Sequence, residues 1–150
     1  MAFLDDLNAT LKEALKSRDE VKVSTIRMIK ASLKNKEIEK TGSLTDDEIL
    51  SVLSTLAKQR RESIEQFAAA GRQDLVAKES RELEIVQSYL PEQLSSDELD
   101  GIIRSAISES GATSVNDLGK VMKVLMPKVK GVADGKVVNQ RVKDLLGPAS

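Results

Sequence analysis

The sequence predicts an all-α protein in two lobes, a four-helix bundle-like N-terminal lobe followed by a three-helix C-terminal lobe. Three observations predict it. Leu, Ile and Val recur at three- and four-residue intervals along most of the chain, Ser, Thr or Asp stands where those patterns begin, and aromatic residues make up only 2% of the composition. A core must then be built from Leu, Ile, Val, Met and Ala, a palette that packs helix on helix more readily than sheet on sheet. At 150 residues the chain is long enough to bury such a core, as one domain or as two small ones.

The first helix is marked by Leu4, Leu7, Leu11 and Leu15, whose spacing puts all four on one stripe. A second begins near Asp19, a side chain suited to capping, and turns Ile26, Ile29 and Leu33 inward while Lys22, Lys30, Lys34 and Lys36 face mainly solvent; Thr41-Gly42-Ser43 ends it. Thr45-Asp46-Asp47-Glu48 has capping-box spacing and opens a third helix, with Ile49, Val52, Leu53, Leu56, Ile64 and Phe67 at core positions and Gly71 as a left-handed stop. The fourth carries Leu75, Leu83, Val86 and Leu90 and is expected to end at Pro91.

Leu90-Pro91-Glu92-Gln93-Leu94-Ser95-Ser96 breaks the periodicity, so the division is placed near Gln93, giving lobes 1–93 and 94–150. Ser95 and Glu98 form a second capping-box pair before a fifth helix carrying Leu99, Ile102, Ile103, Ala106 and Ile107. A sixth, starting at Ser114 with Val115, Leu118, Val121, Met122 and Leu125, is expected to end at Pro127; a seventh, from about Asp134, carries Val138, Val142 and Leu145.

Composition narrows the chemistry. The chain has no Cys, which excludes disulfides, thiolate metal sites and thiol nucleophiles, and no His, which removes the usual neutral-pH base and the commonest transition-metal ligand. The few glycines form neither a P-loop nor a dinucleotide fingerprint. Carboxylate pairs occur at Asp5-Asp6, Asp46-Asp47, Glu82/Glu84 and Asp97-Glu98, and three of the four lie at or near helix starts, where acids satisfy free N–H groups. No catalytic residue, metal or cofactor is therefore expected. The N-terminal stretch places Asp5 and Asp6 where a signal peptide would be apolar, and apolar runs are too short to span a bilayer, so the expectation is a cytoplasmic protein without a membrane partner.

Charge is balanced overall, at a formal −1, but unevenly placed. Between Leu118 and Lys143 stand Lys120, Lys123, Lys128, Lys130, Lys136, Arg141 and Lys143 against the single acid Asp134. The first six of these cations are the candidate RNA-binding residues. Lys120 and Lys123 lie a turn apart on the sixth helix, and Lys128 and Lys130 are expected in a loop with Gly131 and Gly135. Without interleaved aromatics, contact through the phosphate backbone and the shape of folded RNA is favoured over base stacking. Alternatively these lysines are only a solvated face. The run Lys58-Gln59-Arg60-Arg61 is a weaker candidate, because consecutive helical residues point in different directions and Glu62 and Glu65 lie close by.

The stretch from Gly119 to Gly135, GKVMKVLMPKVKGVADG, with Val137-Val138-Asn139 beyond it, resembles the tail signature of the YqeY family. Ile26-Arg27-Met28-Ile29-Lys30-Ala31, Lys58-Gln59-Arg60-Arg61-Glu62-Ser63, Ala70-Gly71-Arg72-Gln73-Asp74-Leu75 and Tyr89-Leu90-Pro91 resemble that family in the same order. The resemblance implies a helical bundle followed by a three-helix lobe, and kinship with the C-terminal part of GatB, a subunit of the tRNA-dependent amidotransferase, whose helical and tail segments contact tRNA. Similar modules accompany a glutaminyl-tRNA synthetase. It thus implies tRNA as a partner, with aminoacyl-tRNA synthetase or amidotransferase subunits beside it, but not GatB's chemistry, which resides in a larger separate domain. One departure is Lys123, where many relatives carry Gly.

The leading expectation is accordingly a non-catalytic tRNA-binding accessory module. The alternatives are a protein–protein adaptor working through a helical face, or a part of a glutamine-dependent carbon–nitrogen ligase active only with partner subunits.

Overall fold

The computed structural model describes residues 2–147. Among them are seven α-helices, one 3-10 turn and no strand, and the chain divides into two compact units, Met1–Leu90 and Pro91–Ser150. The first unit holds α1 (Ala2–Ser17), α2 (Glu20–Lys40), α3 (Asp46–Ala69) and α4 (Gln73–Gln87). The second holds α5 (Ser96–Ser110), a 3-10 turn (Val115–Asp117), α6 (Leu118–Val129) and α7 (Gly135–Leu146). No helix among the described residues is long and apolar enough to cross a membrane.

Local chemistry sets most of the helix ends. Asp19 accepts from the Lys22 N–H at 3.1 Å, and both expected capping boxes form: Thr45 and Glu48 exchange side-chain-to-backbone bonds at the start of α3, as Ser95 and Glu98 do at the start of α5. Each such cap is worth roughly 1 kcal/mol because it satisfies amides the helix cannot reach. Lys40 completes the α2–α3 corner, its ammonium donating to the Ser43 carbonyl at 2.9 Å and to the Glu48 carboxylate. That cation, with the Thr45 amide, holds the Glu48 carboxyl down at about 2.

In the first unit Leu7, Ile26, Ile29, Leu53 and Val86 are wholly or almost wholly buried, and Phe3 meets Tyr89 edge to face at 5.7 Å, tying the start of α1 to the turn after α4. In the second, Ile103, Ala106, Val121, Leu125, Val129, Val138 and Val142 are fully buried, so α5, α6 and α7 each contribute one apolar stripe to a separate core.

Several expected details differ. Leu15 is 49% exposed and Ala14 takes its place inside, since positions three and four beyond Leu11 both fit a helical stripe and only packing decides between them. The fourth helix ends at Gln87, with Ser88 as its cap, so Pro91 lies beyond a turn. Pro127 does not end the sixth helix: it sits inside α6, which runs on to Val129. The proline forfeits its donation to the Lys123 carbonyl, but Val129, two residues on, is fully buried on the same stripe as Leu125, so packing carries the helix past it. The two compact units divide between Leu90 and Pro91, and Leu94 N–H donates to the Val132 carbonyl at 2.8 Å and Gln93 Nε2 to the Gly131 carbonyl at 2.9 Å, binding this segment to the second unit.

The α2 terminus places left-handed backbone on Thr41 (φ 60°) rather than on its neighbour Gly42. A β-branched residue there is strained, whereas the stops at Gly71 and Gly111 fall on glycine. Thr41→Gly should therefore stabilise the protein by about 0.5–1 kcal/mol despite glycine's larger unfolded-state entropy. The check is the denaturant midpoint, which should rise with an unchanged slope.

Candidate nucleic-acid interface

The second unit brings some of the predicted cations together and commits others elsewhere. At about 100° per residue, Val121, Leu125 and Val129 mark the buried side of α6, and Lys120 and Lys123 fall on the opposite side, flanking Pro127. Lys130 follows immediately as the cap residue. All three are exposed. Lys123 and Lys130 have no acid within ion-pair distance among the described residues, and Lys120 has only Asp117, 3.7 Å away one turn earlier. Such a solvated i,i+3 pair holds weakly, by about 0–1 kcal/mol, and would yield to a phosphate. Met126, 38% exposed, lies between these lysines and the start of α7, where its Cε would sit 3.9 Å from a Cβ built on Gly135.

The other three candidates are placed differently. Lys128 belongs to the last turn of α6, not to a loop, and turns toward the end of α5, where its ammonium lies 2.7 Å from Glu109. Lys136 is exposed in the first turn of α7, and its backbone N–H donates to the Asp134 carboxylate at 3.1 Å. With Asp134 capping it, that helix start offers less to an anion than a bare one.

Arg141 grips the buried carboxylate of Asp100 with two hydrogen bonds of 2.7 Å, a planar fork that fastens α7 to α5, and lies 3.8 Å from Asp144. The Arg141 guanidinium holds the Asp100 carboxyl below the ordinary carboxylate range, and the same pairing raises Arg141. A lowered folded-state pKa stabilises fully above the unfolded value of about 3.9 and is lost as pH falls through the folded one. Asp100→Asn should therefore remove part of the acid-side fall in melting temperature between about pH 5 and pH 2, while lowering the melting temperature at neutral pH. Thermal melts across that range, wild type against variant, make the comparison.

In the first unit, sequence reasoning passed over Arg60 as one cation in a run. Its guanidinium is largely buried between α3 and α4, with Nε 2.9 Å from Glu82 and 3.5 Å from Glu79, close ionic approaches without the alignment of hydrogen bonds, while its other end reaches the Met28 sulfur. Burial, reinforced by the neighbouring Glu82 carboxylate, raises Glu79 above the ordinary range. The signal that could have found this clamp was Glu82 itself, an acid one residue from Leu83 on the inward side of α4. Among the described residues no group of three or more acids converges in a way that could hold a metal ion.

The fold and this surface define an all-helical protein of two units, the second presenting exposed cations on α6 and its cap. The family profile described as Yqey-like protein matches residues 4–146, and the chain belongs to that YqeY family. Curated relatives carry the name altered inheritance of mitochondria protein 41, mitochondrial. The one from Pyrenophora tritici-repentis is 33% identical over 149 residues, covering 96% of this chain and 81% of its own. Those from Saccharomyces cerevisiae (strain YJM789) and Eremothecium gossypii are 40% and 42% identical over 95 and 88 residues, covering 63% and 58% of this chain and about half of theirs (51% and 48%). These names overturn the expectation of a cytoplasmic protein, since the relatives are mitochondrial. That expectation rested on the acids at Asp5 and Asp6 and on short apolar runs, which speak against a secretory signal and a membrane span but do not tell one aqueous compartment from another.

Proposed function

We propose that this chain is a non-catalytic tRNA-binding accessory module whose RNA contact runs along α6 of the second unit. The observation that carries the reading is the trio Lys120, Lys123 and Lys130, exposed on one helix and its cap, two of them without a counter-ion among the described residues, in a unit whose sequence contains no aromatic side chain. Such a surface attracts a polyanion and meets its phosphates while offering nothing for bases to stack on. Kinship between YqeY proteins and the tRNA-contacting tail of GatB supports tRNA as the polyanion, and a synthetase or amidotransferase as the enzyme served. Lys128 and Arg141 act in this reading as fasteners of the three-helix unit, and Lys136 borders the contact.

The test is direct titration of purified protein with tRNA over a range of salt concentrations, alongside heparin as an acidic polymer of no defined fold. Tighter binding to tRNA than to heparin, weakening linearly on a log–log salt plot, is the expected result. Equal affinity for both would reduce these lysines to a solvated face.

A further inference from the structure

Among the described residues the most exposed large apolar side chain is Ile38, at 63%, and it does not stand alone. Seven residues earlier on the same stripe of α2 is Ala31, also exposed, at the edge of an open groove of about 450 Å³ between α1 and α2. Leu4, Ala31 and Leu33 give this groove an apolar lining; Asn8, Lys30, Lys34 and the single acid Glu37 form its rim. Arg27 and Lys34 are exposed on α2 away from the buried Ile26, Ile29 and Leu33, and Lys30, half-buried, borders that stripe on the side that lines the groove. None of the three has an acid within ion-pair distance among the described residues, although Lys36 and Lys40 on the same helix do.

Cations without partners around an apolar trough specify an occupant that is apolar on one side and acidic on its flanks. A nucleic-acid backbone supplies the acid but leaves Leu4, Ala31 and Ile38 facing polar groups. An acidic amphipathic helix supplies both, and the distance from Ala31 to Ile38, about 10 Å along the axis, corresponds to two turns of such a helix. We propose that the α1–α2 groove of the first unit docks an acidic amphipathic helix of a partner protein. Its apolar residues, spaced i, i+4 and i+7, rest on Leu4, Ala31 and Ile38, and its carboxylates face Arg27, Lys30 and Lys34. The site is separate from the α6 surface, so one unit holds protein while the other holds RNA.

The experiment uses the full chain and a labelled synthetic peptide of leucine and glutamate with leucines at i, i+4 and i+7, against a scrambled peptide of the same composition. Fluorescence anisotropy should show the patterned peptide binding roughly tenfold or more tightly than the scrambled one. The Lys30→Glu/Lys34→Glu variant should weaken it by a similar factor, because rim charges facing acids become repulsive. Ala31→Gln, an exposed helical position that keeps the fold, should weaken it too by filling the trough, with far-UV spectra as the check. Amide shifts on peptide addition should centre on Leu4, Asn8, Ala31 and Lys34. The proposal is overturned if the patterned peptide does not bind, if both peptides bind alike, if the shifts centre elsewhere, or if the Lys30/Lys34 variant loses tRNA while keeping the peptide.

Discussion

Reversing charge at Lys120, Lys123 and Lys130 together should abolish tRNA binding at physiological salt, whereas reversing Lys12 and Lys16 on α1 should change it little. Each phosphate contact releases condensed counterions, contributing roughly 0.7–0.9 to the magnitude of the log–log salt slope, so three contacts predict a wild-type slope of about 2–3. Single Lys→Ala variants should each flatten that slope by just under one, and the triple Glu variant converts attraction to repulsion at every position. The three lysines are exposed and do not build the core, so the melting temperature should move little. Lys128→Ala and Arg141→Ala form an informative contrast: they remove cations already held by Glu109 and Asp100, so their effect should appear in stability first and in the salt slope hardly at all. If both lysine sets behave alike in the binding assay, α6 is not the RNA contact.

The second large effect is expected in the core of the C-terminal unit. Leu125 is wholly buried against residues of α5 and α7, and truncating such a leucine to alanine typically costs about 2–5 kcal/mol through lost transfer energy and the cavity left behind. A unit running only from Pro91 to Ser150 holds some 3–9 kcal/mol in total, at about 0.05–0.15 kcal/mol per residue. Leu125→Ala should therefore strip most amide-exchange protection from α5, α6 and α7 while leaving α1 to α4 protected. Leu15→Ala, a change of the same chemistry at a half-exposed site, should alter stability by only about 0.5 kcal/mol. Uniform loss of protection across both units would show that they unfold as one.

How much of this was legible beforehand depended on how local the cause was. Thr45 with Glu48 and Ser95 with Glu98 announce helix starts because each motif satisfies its own amides without help from the rest of the chain. Leu15 was misplaced because α1 offers two acceptable stripes, and the choice belongs to α2. Pro127 was misread as a stop because a proline's preference for ending a helix yields to packing, and Leu125 and Val129 on either side of it are both buried on one stripe of α6. Among the candidate cations, basic density pointed to the right segment, but it could not separate Lys123 and Lys130, which stand free, from Lys128 and Arg141, whose acids lie 19 and 41 residues away in sequence. Arg60 escaped for the same reason, since its charge partners sit on a neighbouring helix.

All of the chain's aromatic side chains, Phe3, Phe67 and Tyr89, belong to the first unit, and there is no Trp. The protein is therefore optically divided: tyrosine emission and near-ultraviolet signals report on Met1–Leu90 alone, while far-ultraviolet ellipticity reports on every helix. A transition seen in the second signal and not in the first belongs to the C-terminal unit, so the two melts can be told apart without labels. Conversely, a tryptophan introduced at exposed Val137 on α7 would be a lone fluorophore in an otherwise dark unit and would register changes in that unit without interference from the bundle.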